Sequence, residues 1–379
     1  MPDPPPAADV PPKPRVLLVI ATLDAAGAEK QFTLLACGLK ARGWDVHAVA
    51  LTRGGPHQQA LEAAGVPVTV LGKRLKVDPT CLWRLRGMIG RLKPDLIHSW
   101  MFTANTHARL VAGDVPVIVG ERCVDRWKGG VRHEIDRRLL KRNTARVVAN
   151  SHAVADFLTR HGTPEDGVTV IPNGIEPLEP DPAFRADLLR SLALPADAAP
   201  VTYAGRFAPQ KRPGDLVWAF QLLYQTSAPA VHLMAGDGPL RQRCEDLIAH
   251  YGHGMRARVL GRRDDARRVI AASSVFWLAS EYEGQSNALM EAMAAGVPPV
   301  VSDIPSNREL VTDGETGYLV PVGDPLGFAQ WADRLIADPN LAAEIGTAAR
   351  EKMRAGFTID AMVTRYERLY EEVLAEDRA

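Results

Sequence analysis

The sequence predicts an α/β protein built of two Rossmann-like units, each a doubly wound parallel sheet. Three observations lead there. At 379 residues the chain is too long for one ordinary hydrophobic core. Short apolar runs alternate with amphipathic segments of helix length, the pattern of parallel strands joined through helices. The alternation restarts after a stretch rich in proline and acid, Pro177–Pro182, which puts the domain boundary near residue 176.

The elements follow in order. Residues 1–14, rich in proline, read as an extended disordered tail without the basic start and apolar core of a signal peptide. Arg15–Thr22 (R-V-L-L-V-I-A-T) is a buried strand, and a helix follows from Gly27 to Arg42. Strands at Val46–Leu51 and Val66–Leu71 bracket a helix near His57–Ala64. A helix across Thr80–Leu92 leads to the strand Leu96–His98, then a helix near Ala104–Ala112 and strands at Val115–Gly120 and Arg146–Ala149. Ser151 is a good N-cap for the next helix. The second series has strands at Pro200–Gly205, Val231–Ala235, Val259–Leu260, Val275–Leu278 and Pro299–Ser302. Helices begin between them near Pro213, Pro239, Asp264 and Ser286. The last helix, Ile359–Ala375, carries Tyr366, Leu369, Tyr370 and Val373 at core-facing spacing.

Composition narrows the class. Hydrophobic residues at 46% and charged residues at 24% suit a soluble globular protein. No apolar run approaches the roughly 18–20 residues of a membrane span. Cys37, Cys81, Cys123 and Cys244 are scattered without metal-ligand spacing, so a reduced, cytoplasmic protein is expected. Net charge is zero but unevenly spread: residues 1–176 hold 24 Lys+Arg against 17 Asp+Glu, and the remainder holds 21 against 28. Either the N-terminal half faces something anionic, or its helix faces are simply solvated and basic. The densest basic run, Arg126–Arg146, includes Trp127, Leu139 and Leu140 and could lie on the inner face of an anionic membrane as a peripheral contact. A solvated helix face is the alternative. No aromatic-and-basic stacking platform points to nucleic acid.

In doubly wound sheets ligands bind beyond the carboxyl ends of strands, and the polar motifs fall there. The segment Ser280–Pro321 sets Glu283 in a loop and Glu291 inside the following helix, around Gly-Gln-Ser-Asn. The helix N-terminus can face a diphosphate, whereas two carboxylates beside it suit sugar hydroxyls rather than phosphate. A nucleotide sugar fits both demands. Y-A-G-R-F-A-P-Q-K-R places Arg206 and Lys211 in one loop after a strand, where fixed cations can neutralise a departing diphosphate. The first loop reaches its helix at Gly27, which leaves room for a ligand against backbone, although Gly-x-Gly-x-x-Gly is absent. His98 at a strand end could bond a sugar hydroxyl or manage a proton, or be a satisfied structural histidine. Metal-ligand motifs are absent, and the cationic pair with a helix N-terminus would do a divalent ion's work.

Together these motifs resemble retaining GT-B glycosyltransferases of family 4 (glycosyl transferases group 1). The resemblance rests on Arg206/Lys211, G-D-G-P-L, E-G-Q-S-N-A-L-M-E-A-M-A-A-G-V-P-P-V-V-S-D and E-L-V-T-D-G-E-T-G-Y-L-V-P. The G-A-E loop, P-D-L-I-H, A-N-S-H-A-V and V-I-P-N-G-I-E extend it over about residues 15–375. It implies the GT-B fold: an acceptor domain at 15–176 and a donor domain at 177–355 facing a central cleft, with residues 356–379 crossing back as a helix. It implies a metal-independent hexosyltransferase that moves sugar from a UDP- or GDP-sugar to a glycan or lipid-linked acceptor in cell-surface polysaccharide synthesis, with no resident cofactor. On the same basis Arg206 and Lys211 bind the diphosphate, Glu291 the ribose, and Ser286, Asn287 and Ala288 the phosphate and sugar through backbone. Gly27 admits the donor phosphate, while His98 and Glu283 lie at the transferred sugar. His98, Glu283, Arg206 and Lys211 are the catalytic set. The family usually has a more apolar turn after E-G, so Gln285 and Ser286 bear on the donor sugar. Glu283 as a covalent nucleophile is the disfavoured route. Two other readings are a GT-B nucleotide-sugar epimerase and an inactive GT-B binding subunit.

Overall fold

The computed structural model describes residues 13–75, 78–124, 130–140, 144–254 and 256–378. The tail therefore lies outside the described residues except for Lys13 and Pro14. So do Trp127, Lys141 and Arg142 of the basic run.

The chain divides into two compact units. The first holds residues up to Ala149, Leu158–Ile171 and Val363–Ala379; the second holds Asn150–Phe157 and Pro172–Met362. Along the first, the order is β1 (Arg15–Thr22), α1 (Gly27–Ala41), β2 (Asp45–Arg53), α2 (Pro56–Ala63), β3 (Val68–Val70), α3 (Pro79–Leu92) and β4 (Leu96–Trp100). Then come α4 (Met101–Val111), β5 (Val117–Glu121), α5 (Gly130–Leu140), β6 (Thr144–Ala149) and, after α6 (His152–Arg160), which belongs to the second unit through Phe157, β7 (Val168–Val170). All seven strands run parallel in the order β3-β2-β1-β4-β5-β6-β7. The centre of β1 is buried on both faces, which is why R-V-L-L-V-I-A-T is nearly all apolar and does not alternate.

The second unit continues with α7 (Pro182–Ser191), β8 (Ala199–Ala204), α8 (Pro213–Thr226), β9 (Ala230–Ala235), α9 (Arg241–His250), β10 (Ala257–Gly261), α10 (Ala266–Ala271) and β11 (Val275–Leu278). It closes with α11 (Asn287–Ala295), β12 (Pro299–Ser302), α12 (Pro305–Leu310), β13 (Tyr318–Val320), α13 (Pro325–Ala337) and α14 (Pro339–Gly356). Its six strands are parallel in the order β10-β9-β8-β11-β12-β13. The core packs Phe207, Phe220, Phe276, Trp277 and Phe328 with the apolar face of α11. The final helix α15 spans Ile359–Arg378, and its residues from Val363 onward pack within the first unit.

Two local differences from the sequence reading matter. The strand expected at Leu96–His98 runs on to Trp100, so His98 sits inside β4, in register with Leu18 and Ile118, rather than at its end. Burial of Trp100 extends the pairing by two residues. The three-residue strands β7 and β13 are too short to show periodicity.

Candidate functional site

In each sheet the strand order reverses at one place, and there adjacent loops leave in opposite directions. In the second sheet that place lies between β8 and β11. The loop after β8 carries Arg206 and Lys211, and the loop after β11 carries Glu283, so the second unit gathers three predicted site residues at its own switch point.

The two loops are tied together. Gln210 Nε2 donates to the Tyr282 carbonyl at 2.8 Å, and Glu281 N donates to the Gln210 carbonyl at 2.9 Å. Lys211 Nζ forms an ion pair with Glu283 Oε1, to which Ser280 Oγ also donates at 2.6 Å. The Glu283 side chain is only 8% exposed and that of Lys211 18%, so the pair is largely desolvated. Burial, reinforced by the Glu283 carboxylate, pushes the Tyr203 hydroxyl well above its usual range. Arg206 differs: its side chain is exposed, while its carbonyl accepts from Tyr203 Oη at 2.7 Å. Arg212, next to Lys211, holds φ at 47°, a left-handed conformation that non-glycine residues rarely adopt and that clusters at functional loops.

Gly236 explains how closely these loops stack. Its φ is 135°, and a Cβ there would lie 1.9 Å from the Gly205 carbonyl oxygen, so only glycine fits. The turn G-D-G-P-L thus keeps the β9 loop against the β8 loop.

α11 begins beside this pair. Ser286 caps it, its Oγ accepting from Leu289 N at 3.4 Å, and Gly296 ends it at φ 74°. Asn287 and Ala288 occupy the first turn, where N–H groups lack intrahelical acceptors and the helix dipole is positive. Glu291 lies in the same helix, buried, with Arg267 Nε at 3.7 Å from its Oε1. Arg267 also pairs with Glu176, the acid that ends P-N-G-I-E. Arg267 escaped notice in the sequence because G-R-R-D-D-A-R-R gives no sign of which arginine turns inward.

Gln285 has a structural partner. Its Oε1 accepts from Asn173 N at 2.6 Å, and its carbonyl accepts from Asn173 Nδ2 at 3.3 Å. Asn173 Nδ2 also bonds Asn287 Oδ1 at 2.9 Å. The polar turn that looked like a specificity element therefore splices P-N-G-I-E to the start of α11.

The first unit has its own switch point, between β1 and β4. Gly27 lies in the loop after β1 and is the exposed first residue of α1. Glu29 stands in the same helical turn, bonded to Thr22 Oγ1 at 3.1 Å, and burial raises its pKa. After β4, Met101 holds φ at 69°, like Arg212 a non-glycine residue in the left-handed region.

His98 is wholly buried. Tyr370 Oη lies 2.6 Å from its Nδ1 and Trp100 Nε1 3.3 Å from the same atom. An indole N–H can only donate, so Nδ1 accepts and the ring proton sits on Nε2. Among the described residues Nε2 has no hydrogen-bond partner. Burial, with Arg122 nearby, drives the His98 pKa well below its ordinary value, so the ring is neutral. Arg122 itself lies 3.7 Å from the Trp100 ring centroid and donates to Tyr366 Oη at 3.0 Å. Nothing in the local sequence joins Arg122 to Tyr366, because 244 residues separate them. Among the described residues no group of three or more His, Cys, Asp or Glu is placed to hold a metal ion.

Comparisons with known proteins agree with this architecture. Residues 25–177 match the family model described as Glycosyltransferase Family 4, and residues 184–352 match Glycosyl transferases group 1. The chain is 27% identical over 347 residues to the lipopolysaccharide core biosynthesis glycosyltransferase LpsE of Rhizobium meliloti, covering 90% of this chain and 94% of that one. It is 34% identical over 176 residues to the N-acetyl-alpha-D-glucosaminyl L-malate synthase of Bacillus anthracis, a match spanning 46% of either chain. Among solved structures, Anabaena HepE in complex with UDP and glucose shares the fold, with a TM-score of 0.86 at 20% identity over 95% of this chain and all of that one.

Proposed function

The chain is a glycosyltransferase of the GT-B fold, and we propose that it transfers a hexose from a UDP-sugar to a glycan or lipid-linked acceptor, with retention and without a metal ion. The observation that carries this reading is the desolvated Lys211–Glu283 pair at the β8/β11 switch point, with the N-terminus of α11 beside it. Such a place offers cations and N–H groups to a diphosphate and a carboxylate to sugar hydroxyls. UDP in the HepE complex supports the donor class, and the lipopolysaccharide role in the LpsE name supports the acceptor class.

In this mechanism the bond between the anomeric carbon and the donor phosphate oxygen breaks as the acceptor oxygen attacks from the same face. The acceptor's proton passes to the departing phosphate, so no protein nucleophile is needed. Lys211 and Arg206 neutralise the charge that grows on the leaving diphosphate. Lys211 would share its charge between Glu283 and the phosphate, leaving Glu283 Oε atoms to accept from the sugar. Glu291 accepts from the ribose, held in place by Arg267. Backbone at Ser286, Asn287 and Ala288 receives phosphate and sugar; Gly27 admits donor phosphate and His98 meets the transferred sugar. The protein works in the cytoplasm, with peripheral contact to the membrane that carries its acceptor.

A donor panel read by nucleotide release tests the function. UDP-sugar turnover that rises with a lipid-linked saccharide and persists in EDTA is expected, with an axial-to-axial anomeric relation in the product by NMR. Interconversion of the sugar without transfer would make the chain an epimerase. Binding without turnover would make it a binding subunit.

A further inference from the structure

The basic run first singled out for membrane contact is largely paired where it is described. Arg137 and Arg138 both bond Glu134, at 2.9 and 2.7 Å, Arg109 bonds Asp136 at 2.5 Å, and Arg146 bonds Glu376 at 2.6 Å. A different surface of the first unit is not. Between Lys73 and Lys93 the chain holds seven Lys+Arg and one acid, Asp78. That acid is used internally: its carboxylate caps α3, accepting from Thr80 N and Cys81 N, and takes Arg74 N at 2.9 Å. None of Arg74, Arg84, Arg86 and Arg91 forms an ion pair among the described residues, and all four are exposed.

The same segment carries the most exposed large apolar side chains among the described residues. Trp83 is 76% and Leu75 is 64% exposed, the two highest values among such residues described. Trp83 and Arg86 stand one turn apart on the outer face of α3, while Cys81, Leu85, Met88 and Ile89 point into the core. Gly87 and Gly90 continue the outer face one and two turns beyond Trp83, and a Cβ at either would meet nothing within 4 Å. Fold packing therefore gives no reason for glycine there, and their smoothness leaves the indole proud of the helix.

We propose that the outer face of α3 docks in the plane of an anionic lipid surface, with Trp83 and Leu75 entering the headgroup layer and the arginines pairing with lipid phosphates. A solitary indole with an aliphatic neighbour, ringed by long cationic side chains, is the composition that partitions to a bilayer interface. Single-stranded nucleic acid would call for several stacking rings, and this face offers one. Charge complementarity selects an anionic membrane over a neutral one. Docking is a property of the first unit alone and does not depend on which sugar is transferred.

The full chain is sedimented with vesicles of phosphatidylcholine alone or with about a third phosphatidylglycerol. Preferential binding to the anionic vesicles, weakening as salt rises, is expected. Each cation near such a surface contributes about fivefold to partitioning, so Arg86→Gln with Arg91→Gln should lower it about 25-fold. Trp83→Ala should lower it further, at unchanged far-UV circular dichroism and unchanged turnover on a soluble acceptor. Arg137→Gln with Arg138→Gln should have little effect. The proposal fails if the α3 variants bind as wild type does, or if the Arg137/Arg138 variant alone loses binding. It also fails if wild type self-associates in sedimentation velocity and Trp83→Ala abolishes that, since the face would then be a protein interface.

Discussion

Replacing Lys211 by alanine tests the core of the proposed mechanism. Lys211 Nζ is the cation held at the β8/β11 switch point, 18% exposed and fixed by Glu283. A unit charge about 4 Å from a phosphate oxygen interacts by about 4 kcal/mol at an effective dielectric near 20. Part of that is already present with bound donor; the part gained as charge develops on the leaving phosphate speeds the reaction. Losing one such preorganised electrostatic donor costs about 2.7–4 kcal/mol, a fall of about 10²–10³ in kcat. The substitution also leaves the buried Glu283 carboxylate with a hydrogen bond from Ser280 Oγ but without its countercharge, which lowers stability. The double change Lys211→Ala with Glu283→Gln separates the two effects, because it removes the uncompensated charge without restoring the cation. Stability should recover in the double variant while turnover stays low. The assay is UDP release from UDP-glucose, with kcat and KM measured alongside thermal unfolding. A folded Lys211→Ala protein whose kcat stays within about threefold of wild type would refute the electrostatic role.

Two further outcomes follow from buried polar groups. Gln285→Leu leaves Asn173 N without its acceptor and should cost about 1–3 kcal/mol of stability, with donor preference unchanged across a panel of UDP-sugars; a changed preference at unchanged stability would return Gln285 to the ligand. His232 is wholly buried, and desolvation pushes its pKa down to about 4 although its Nδ1 bonds the Val201 carbonyl. The unfolded state therefore binds the extra proton between about pH 6.5 and 4. Stability from neutral His232 is full above pH 6.5 and falls by about 3 kcal/mol on acidification to pH 4. Denaturant midpoints of His232→Phe should fall less steeply over that window, and an equal slope would exclude this group as the cause.

The alternation of apolar runs with helical segments made both sheets legible in the sequence, because buried parallel strands need long apolar stretches and crossovers need helices. The positions of Gly27, Lys211 and Glu283 after β1, β8 and β11 were legible for a related reason: the apolar runs mark where strands end, and doubly wound sheets bind ligands beyond those ends. What pairs with what was not. Lys211 and Glu283 are 72 residues apart, and nothing in either motif states that they share a proton-donating contact. Gln285 looked like a ligand contact because a polar residue in a loop carries no mark of its partner, which is Asn173, 112 residues earlier. His98 looked like a strand-end side chain because strand length rests on Trp100, whose burial depends on Arg122 and Tyr366. Long-range side-chain closure is what pattern and spacing leave open.

His98 poses the sharpest remaining choice. Its Nδ1 lone pair is shared by two donors, Tyr370 Oη and, at the longer distance, Trp100 Nε1, and both lie in the first unit's core. A histidine kept only for that purpose would carry an unpaired Nε2–H at a cost of about 1–3 kcal/mol. A histidine that donates Nε2–H to a hydroxyl of the transferred sugar would recover that energy when donor binds. Asparagine distinguishes the two, because its Oδ1 can stand where Nδ1 stands and it has nothing in place of Nε2. His98→Phe is a poor test, since it strands both donors and unfolding would mask any catalytic effect. If Nε2–H meets the sugar, His98→Asn should keep most of the stability and lose about 3–10-fold in kcat/KM, the scale of one neutral hydrogen bond. The same variant with native stability and native kcat/KM would leave His98 as a core acceptor for Trp100 and Tyr370, and the transferred sugar would have to find its contacts elsewhere.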